Sequence, residues 1–187
     1  MIMAYGNRLP LIPKWWCVCM RRIYIKEQAC IGCHLCEVYC RVTHSRSKDL
    51  IKAFKREFPQ PLPRLSVEER KPVSFSVRCQ HCDKPPCIYA CLTGALQRDA
   101  ESGLVTVDEE RCIGCWTCIL VCPFGAIRQD MHQGKIAKCD LCAGEAVPVC
   151  VANCPNEALV YVENKAGSGS KDRQQVNTEE QIERWRR

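Results

Sequence analysis

Residues 112–123 read CIGCWTCILVCP, with cysteines at Cys112, Cys115, Cys118 and Cys122 and a proline at Pro123. Three cysteines separated by two residues each can supply thiolates to three corners of one [4Fe–4S] cubane. The fourth cysteine, three residues further on, enters a helix and points towards a second cluster, while the proline stops that helix from continuing. Because zinc usually takes paired cysteines from two separate loops, this spacing favours iron–sulfur ligation over zinc.

Three further groups of four cysteines repeat this pattern along the chain. The first has the same spacing, the second has four residues between its second and third members, and the last has seven residues in that gap. These groups are Cys30, Cys33, Cys36 and Cys40; Cys79, Cys82, Cys87 and Cys91; and Cys139, Cys142, Cys150 and Cys154. The four groups use 16 of the 18 cysteines and predict four [4Fe–4S] clusters as cofactors. Cys17 and Cys19 are left over and are predicted not to be ligands.

The direction of the fourth cysteine predicts that groups exchange ligands in pairs. The second and third groups are close in sequence and form one pair, which leaves the first and fourth groups to pair across the chain. The predicted ligand sets are Cys79, Cys82, Cys87 and Cys122; Cys112, Cys115, Cys118 and Cys91; Cys30, Cys33, Cys36 and Cys154; and Cys139, Cys142, Cys150 and Cys40. The alternative keeps each fourth cysteine within its own group.

Composition limits the classes of function that remain. Cysteine makes up about a tenth of the 187 residues, a level at which disulfides must be considered. Residues 1–20 lack the apolar core and cleavage site of a secretory signal, so we expect a cytoplasmic protein whose cysteines bind metal. Four clusters with their thiolates bring the formal net charge from +6 to about −2. The basic residues therefore compensate cluster charge and do not indicate nucleic-acid binding.

Short strands and helices flank the cysteine groups. Residues 21–26, 104–107 and 158–162 have strand patterns, and residues 95–107 predict a hairpin with its turn at Ser102-Gly103. We predict an α+β fold of two dicluster modules, each built from units of strand, cluster loop, helix and strand that resemble half of a bacterial ferredoxin. So little apolar side chain lies between the groups that the clusters must act as the core and the apo chain should be largely unfolded.

The predicted domain boundaries follow from these patterns. The four-cluster domain covers residues 20–163, with a central module at 77–128 and an outer module formed by 29–40 with 137–162. Residues 41–76 are a basic and Pro-rich insertion, in which Leu50, Ile51 and Phe54 have near-helical spacing. Its basic face either docks an acidic redox partner or is simply solvated. Within the insertion, residues 59–63 read as an extended connector.

Both ends of the chain differ from the four-cluster domain. Residues 1–19 are predicted to be an N-terminal extension, either a mis-assigned start upstream of Met20 or a tail that docks on a partner through Trp15 and Trp16. Residues 164–187 are predicted to be a flexible tail, with a Gly/Ser linker at 167–170 and a short helix after a capping box at 178–181.

The histidines are predicted to have minor roles. His34 and His81 lie inside cysteine groups and should form hydrogen bonds near the clusters, although Cys79, His81 and Cys82 could also be imagined as part of a zinc site. His44 and His132 are predicted to be ordinary surface residues.

The motifs together resemble the four-cluster electron-transfer subunits of molybdopterin oxidoreductases, formate dehydrogenases and hydrogenases. The resemblance covers about residues 20–163, and within the family it is strongest to the branch that accompanies carbon monoxide dehydrogenase. Its stretches are CIGCHLCEVYC (30–40), HCDKPPCIYACLTGAL (81–96), CIGCWTCILVCPFGAI (112–127), CDLC (139–142) and CVANCPNEAL (150–159).

The resemblance implies an electron carrier without a substrate site of its own. It would take electrons from the carbon monoxide dehydrogenase catalytic subunit and deliver them to a hydrogenase or to a flavin (FAD)-dependent NAD(P)H oxidoreductase. The alternatives are an electron-transfer subunit built permanently into a formate dehydrogenase, hydrogenase or molybdopterin oxidoreductase complex, and a zinc-binding or redox-sensing regulator. No dinucleotide-binding or P-loop motif points to catalysis by this chain, and no apolar run is long enough for a transmembrane segment.

Overall fold

The computed structural model describes residues 21–70 and 72–163 together with the backbone of residues 174–175. The predicted extension at 1–19, with Cys17 and Cys19, lies outside the described residues. So do the predicted linker at 167–170 and the helix after residue 178. The expectations for these segments stay predictions.

Nine strands and five α-helices alternate along the described chain. The strands are β1 (Arg21–Ile25), β2 (Leu65–Arg70), β3 (Val73–Arg78), β4 (Leu96–Arg98), β5 (Val105–Val107), β6 (Ile127–Asp130), β7 (Lys135–Lys138), β8 (Leu159–Glu163) and β9 (Gln174–Gln175). The helices are α1 (Leu35–Thr43), α2 (Leu50–Lys55), α3 (Pro86–Tyr89), α4 (Thr117–Leu120) and α5 (Val149–Ala152), and a 3₁₀ turn spans Glu27–Ala29.

All the strand pairs are antiparallel and small. Strands β1, β8 and β9 form one sheet in the order β1-β8-β9, with Ile23 opposite Tyr161, so the two ends of the described domain meet. The other three sheets are two-stranded hairpins: β2–β3, β4–β5 and β6–β7. These sheets are too small to bury a core by themselves, so what lies between them must supply the packing.

The predicted hairpin at 95–107 is confirmed by strands β4 and β5. Its turn closes because the Asp99 carboxylate accepts a hydrogen bond from the Ser102 N–H at 2.7 Å, and Gly103 takes a φ of 68°. This conformation is readily available to glycine but strained for most other residues. The predicted strands at 21–26 and 158–162 are likewise confirmed as β1 and β8.

The segment between the first two cysteine groups contains more regular structure than its sequence suggested. The helical spacing at 50–54 is confirmed by α2, which Asp49 caps by accepting the Lys52 N–H at 2.8 Å. Leu50 and Ile51 stay exposed, however, and the buried residue of this helix is Ala53. Strands β2 and β3 form a hairpin across 65–78 that the sequence analysis did not predict.

Two clusters of buried residues form the interior, and cysteines belong to both. The first packs Ile23, Leu65, Leu141 and Tyr161 with cysteines of the first and fourth groups. The second contains four buried aliphatic residues with cysteines of the second and third groups, and it comprises Leu96, Val105, Ile127, Ile136, Cys87 and Cys118. Cys79 of the second group also packs against the first cluster, so the two clusters follow the predicted pairs of cysteine groups except at this cysteine.

Candidate metal centres

Three cavities are each lined by four cysteines drawn from two groups, and these define three candidate sites. The cavities measure about 420, 330 and 320 Å³, including their open mouths. Site A contains Cys30, Cys33, Cys36 and Cys154. Site C contains Cys79, Cys82, Cys87 and Cys122. Site D contains Cys91, Cys112, Cys115 and Cys118.

The remaining four predicted ligands form a more deeply buried set, which we call site B. Its cysteines are all buried and influence one another electrostatically: Cys40, Cys139, Cys142 and Cys150. In each of the four sites, three cysteines come from one group and the fourth comes from that group's partner. The cysteines that line the cavities of sites A, C and D are those that the sequence analysis grouped together, and their assignment as ligand sets stays a prediction.

Short helices place two cysteines each, four residues apart, so that one faces each site of a pair. Helix α1 contains Cys36 of site A and Cys40 of site B, and it packs against α5. Helix α4 contains Cys118 of site D and is followed by Cys122 of site C, and it packs against α3. Residues four apart are separated by about one helical turn. A single turn is therefore enough to reach two neighbouring sites.

The loops between the first two cysteines of each group need an unusual backbone. The residue before the second cysteine has a positive φ in every group: 66° at Gly32, 47° at His81, 68° at Gly114 and 56° at Leu141. This left-handed turn points successive thiols into one cavity. Two groups pay no steric cost because they use glycine, whereas the other two hold a larger side chain in a strained conformation.

The fourth cysteine of every group accepts backbone hydrogen bonds at sulfur. The Arg64 N–H donates to Cys40 Sγ and the Ala158 N–H to Cys154 Sγ, both at 3.2 Å. The Ala126 N–H donates to Cys122 Sγ at 3.5 Å. Backbone donors near Leu96 act in the same way on Cys91 and lower its pKa against the opposing effect of burial. Donors of this kind stabilise a thiolate and raise the reduction potential of an iron–sulfur cluster that it ligates.

Burial makes eight of the sixteen described thiols poor acids unless a cation binds them. It raises the pKa of Cys36, Cys87 and Cys118 to about 11 and that of Cys142 to about 12. Burial also raises the pKa of Cys150 and Cys139. Because iron binds the thiolate, a metal held at these sites would supply the positive charge that the buried sulfurs need.

The donor sets fit a multi-iron cluster better than a single ion. Within residues 21–70 and 72–163, no three His, Cys, Asp or Glu side chains converge closely enough to hold one metal ion. Tetrahedral zinc, with Zn–S bonds of about 2.3 Å, would need its sulfurs only about 3.8 Å apart. Four thiols that line one cavity suit a cubane, in which each thiolate binds a different iron.

Two fully buried cations lie among these sulfurs, and the sequence analysis missed both. Arg78 and Lys138 are each 2% exposed and directly precede the first cysteines of the second and fourth groups. Lys138 Nζ donates to the carbonyl oxygens of Val105 and, at 2.9 Å, of Cys139. A possible signal was the position of both residues at the end of a strand, on the face that alternates inward.

His81 is buried and uncharged. The Val105 N–H donates to His81 Nδ1 at 3.0 Å, so the ring proton lies on Nε2. Burial, reinforced by the nearby Lys138 charge, lowers the pKa of His81 to about 3. His81 Nε2 has no hydrogen-bond partner among the described residues. His34 is only partly buried, and its hydrogen bonds to Glu37 and Glu69 raise its pKa.

The prediction that His44 is a surface residue is wrong. Its side chain is 12% exposed and lies against site B, with Nδ1 donating to the Cys40 carbonyl at 2.7 Å. His44 Nε2 donates to Asp140 at 3.2 Å, and Arg64 donates to the same carboxylate at 2.7 Å. Burial acts to raise the pKa of Asp140, but these two donors outweigh it and hold the pKa well below its usual range. The ring turns inward because α1 ends beside the loop of the fourth group.

None of the helices in the described part of the chain combines the length and the apolar character that crossing a bilayer requires.

The chain is similar in sequence to known iron–sulfur proteins. Residues 71–164 match the family model of the 4Fe-4S dicluster domain. The chain is 37% identical over 163 residues to the electron transport protein HydN of Escherichia coli (strain K12), an alignment that covers 77% of this chain and 89% of HydN. It is 36% identical over 150 residues to the thiosulfate reductase electron transfer subunit PhsB of Salmonella typhi, covering 72% of this chain and 71% of PhsB.

A third relative is much longer than this chain. The putative oxidoreductase AegA of Escherichia coli (strain K12) is 35% identical over 169 residues, which cover 86% of this chain but only 25% of AegA. The family model covers half of the chain, and HydN and PhsB align over more than two thirds of their lengths. The chain therefore belongs to the 4Fe-4S dicluster domain family.

Proposed function

We propose that this chain is an electron-transfer subunit that holds four [4Fe–4S] clusters in two dicluster modules. The observation that supports it is the gathering of sixteen cysteines into four sets of four, each drawn from two paired groups. Such clusters, when bound, supply one-electron redox chemistry. The protein's own contribution is to fix the thiolates, exclude water from the interior sites and donate N–H groups to sulfur.

We infer that the sites lie in the order A, B, C, D. Helices α1 and α5 join sites A and B, and helices α3 and α4 join sites C and D. Sites B and C are inferred to be neighbours, since Cys79 of site C lies near enough to Cys139 of site B to influence it electrostatically. Cys33 of site A and Cys115 of site D are the exposed cysteines of the described chain, so the two ends of this order reach the surface, where redox partners can approach.

Metal analysis tests the cofactor content. After anaerobic purification, we expect iron and sulfide near sixteen per chain each and little zinc. Stoichiometric zinc without sulfide would overturn the proposal and favour a zinc-binding regulator.

For the donor, we propose the carbon monoxide dehydrogenase catalytic subunit, and for the acceptor a hydrogenase or a flavin-dependent NAD(P)H oxidoreductase. This choice is supported by the sequence resemblance alone. Under carbon monoxide, catalytic amounts of carbon monoxide dehydrogenase should bleach the visible absorption of the clusters rapidly. Full iron content without bleaching would remove this donor and keep the electron-transfer role.

The names of the relatives favour a second candidate, a subunit of another oxidoreductase complex. PhsB is an electron transfer subunit of a thiosulfate reductase, and an analogous place in a formate dehydrogenase, hydrogenase or molybdopterin enzyme would require permanent association. Co-purification of a catalytic subunit from the native source would support this candidate, and isolation of the chain alone would favour a mobile carrier. We place either form in the cytoplasm, as the sequence predicts.

A further inference from the structure

We propose that Arg78 is a positioning residue that raises the reduction potentials of sites A, B and C and leaves site D unaffected. The inference rests on the proposed function, since it assumes that clusters occupy the four sites. It adds to that function a division of the path into three sites that buried cations stabilise, A, B and C, and one end, site D, that they do not.

The position of Arg78 supports the first step. The residue ends strand β3 and is 2% exposed. One guanidinium nitrogen, Nη2, donates to the carbonyl oxygen of Ile23 on strand β1. The other, Nη1, is buried and has no hydrogen-bond partner among the described residues. A guanidinium has no acceptor capacity and remains charged in proteins, so Nη1 requires an acceptor.

The surroundings of Arg78 indicate which acceptor that is. The groups that act on it electrostatically are the thiols of Cys150, Cys139, Cys36 and Cys79, which belong to sites B, A and C. Among the described residues, no carboxylate forms an ion pair with it. A buried cation without a counter-ion is strongly unfavourable. Anionic clusters at these sites would supply the missing charge and a sulfur acceptor for the Nη1 N–H.

A fixed cation favours the more negative state of a neighbouring redox group. Reduction adds one negative charge to a cluster, and in a dry interior the attraction to a nearby guanidinium is weakly screened. Lys138 adds to the effect at the boundary between sites B and C, because it acts on both Cys139 and Cys87. Sites A, B and C should therefore hold an electron more readily than they would without these cations.

Site D provides an internal control. The charged neighbours of Cys118 are the other thiols of its own site, Cys115, Cys112 and Cys91. The same holds for Cys115, whose charged neighbour is Cys91. Neither Arg78 nor Lys138 is among the main influences on these two thiols, so removing the charge of Arg78 should leave the potential of site D nearly unchanged.

The first experiment compares the purified holoprotein with Arg78→Gln by anaerobic potentiometric titration monitored by EPR. Iron and sulfide are measured first, so that a failure of the proposed function is recognised separately. The signal of site D is assigned with Cys115→Ser, which changes an exposed ligand. The matched control is Arg56→Gln, which removes the same charge from an exposed position.

In Arg78→Gln, the equilibrium constant for one-electron reduction should fall at least tenfold at one or more of sites A, B and C. A tenfold change corresponds to about 59 mV for a one-electron couple. The equilibrium constant of site D in Arg78→Gln should stay within twofold of the wild-type value. The same should hold for all four sites in Arg56→Gln. A smaller shift at all three of sites A, B and C, with full iron and sulfide, overturns the proposal.

A second measurement does not depend on whether Arg78→Gln assembles its clusters. Wild-type holoprotein is labelled with guanidino-¹⁵N arginine, reduced with dithionite, and examined by pulsed EPR for ¹⁵N hyperfine coupling. Coupling that disappears in Arg78→Lys would place the Arg78 guanidinium against a reduced cluster. The absence of coupling in the wild type, or its persistence in Arg78→Lys, contradicts the proposal.

Discussion

At the scale of single residues, backbone conformation decides where the thiols point. The residue before the second cysteine of each group adopts a left-handed φ. Its neighbourhood differs between groups: a Cβ on Gly114 would overlap the carbonyl oxygen of Gly134. Gly125 has a similar φ, 58°, but a Cβ there would meet nothing within 4 Å. These two glycines therefore separate backbone strain from steric overlap.

We expect Gly114→Ala to destabilise the holoprotein more than Gly125→Ala. Both substitutions place an alanine at positive φ, which costs about 1–2 kcal/mol. Gly114→Ala should add about 1–3 kcal/mol, because a backbone carbonyl cannot rotate away as a side chain can. Anaerobic denaturant titration measures the difference, and iron analysis should show loss of metal for Gly114→Ala first. Equal effects of the two substitutions would mean that residues 114 and 134 do not approach closely.

The sequence predicted the cysteines at this scale but not the groups that surround them. Ligand spacing is a local property of the chain, so all sixteen candidate positions could be read from the sequence. The burial of Arg78, Lys138 and His44 depends on which strand or loop covers them, and no local pattern encodes that. Charged residues usually indicate exposure, which is why these three residues were missed or misassigned.

At the scale of secondary structure elements, four of the five described helices, α1, α3, α4 and α5, serve two sites each. In α4 and the residue pair that follows it, Cys118 faces site D and Cys122 faces site C, although the two cysteines belong to one sequence group. This exchange gives a direct test of the proposed ligand sets, because the alternative assigns both cysteines to the same cluster.

We expect Cys118→Ser and Cys122→Ser to damage different clusters. In Cys118→Ser the EPR signal of site D should change, and the same signal should change in Cys115→Ser. In Cys122→Ser the EPR signal of site C should change instead, and the same signal should change in Cys82→Ser. Each variant should lose at most about four of sixteen irons, since a [4Fe–4S] cluster has four. Identical spectra for the two variants would favour the assignment of each fourth cysteine to its own group.

Elements were predictable from the sequence where the pattern was local. The β4–β5 hairpin follows from alternating residues around Ser102-Gly103, and α2 follows from the near-helical spacing of Leu50, Ile51 and Phe54. The β2–β3 hairpin was missed because its outer half, Glu68 to Arg70, is charged and exposed. Its inner half is held by a distant contact instead: the Val67 N–H donates to the carboxylate of Glu37 on α1 at 2.6 Å. Such a contact depends on tertiary structure and leaves no trace in local periodicity.

At the scale of the whole molecule, the clusters replace the hydrophobic core that the sheets are too small to form. Three of the eleven buried residues in the first group of packed side chains are cysteines, and two of the six in the second group are cysteines. The interior also holds Arg78 and Lys138, for which the described residues provide no anionic partner. Without clusters, the folded state would contain cavities lined by thiols and two buried cations without counter-ions.

We therefore expect the apoprotein to be largely unfolded. An unpaired buried cation costs several kcal/mol, which is a large part of the 5–15 kcal/mol by which domains are typically stable. Removal of iron with a chelator under anaerobic, reducing conditions should abolish most of the far-UV circular dichroism and the cooperative thermal transition. Readdition of iron and sulfide should restore both, which controls for irreversible damage.

An apoprotein that still unfolds cooperatively near the holoprotein's Tm would show that the strands and helices are stable alone. In that case Arg78 and Lys138 would have to be compensated by groups other than the clusters, and the redox role proposed for Arg78 would lose its physical basis.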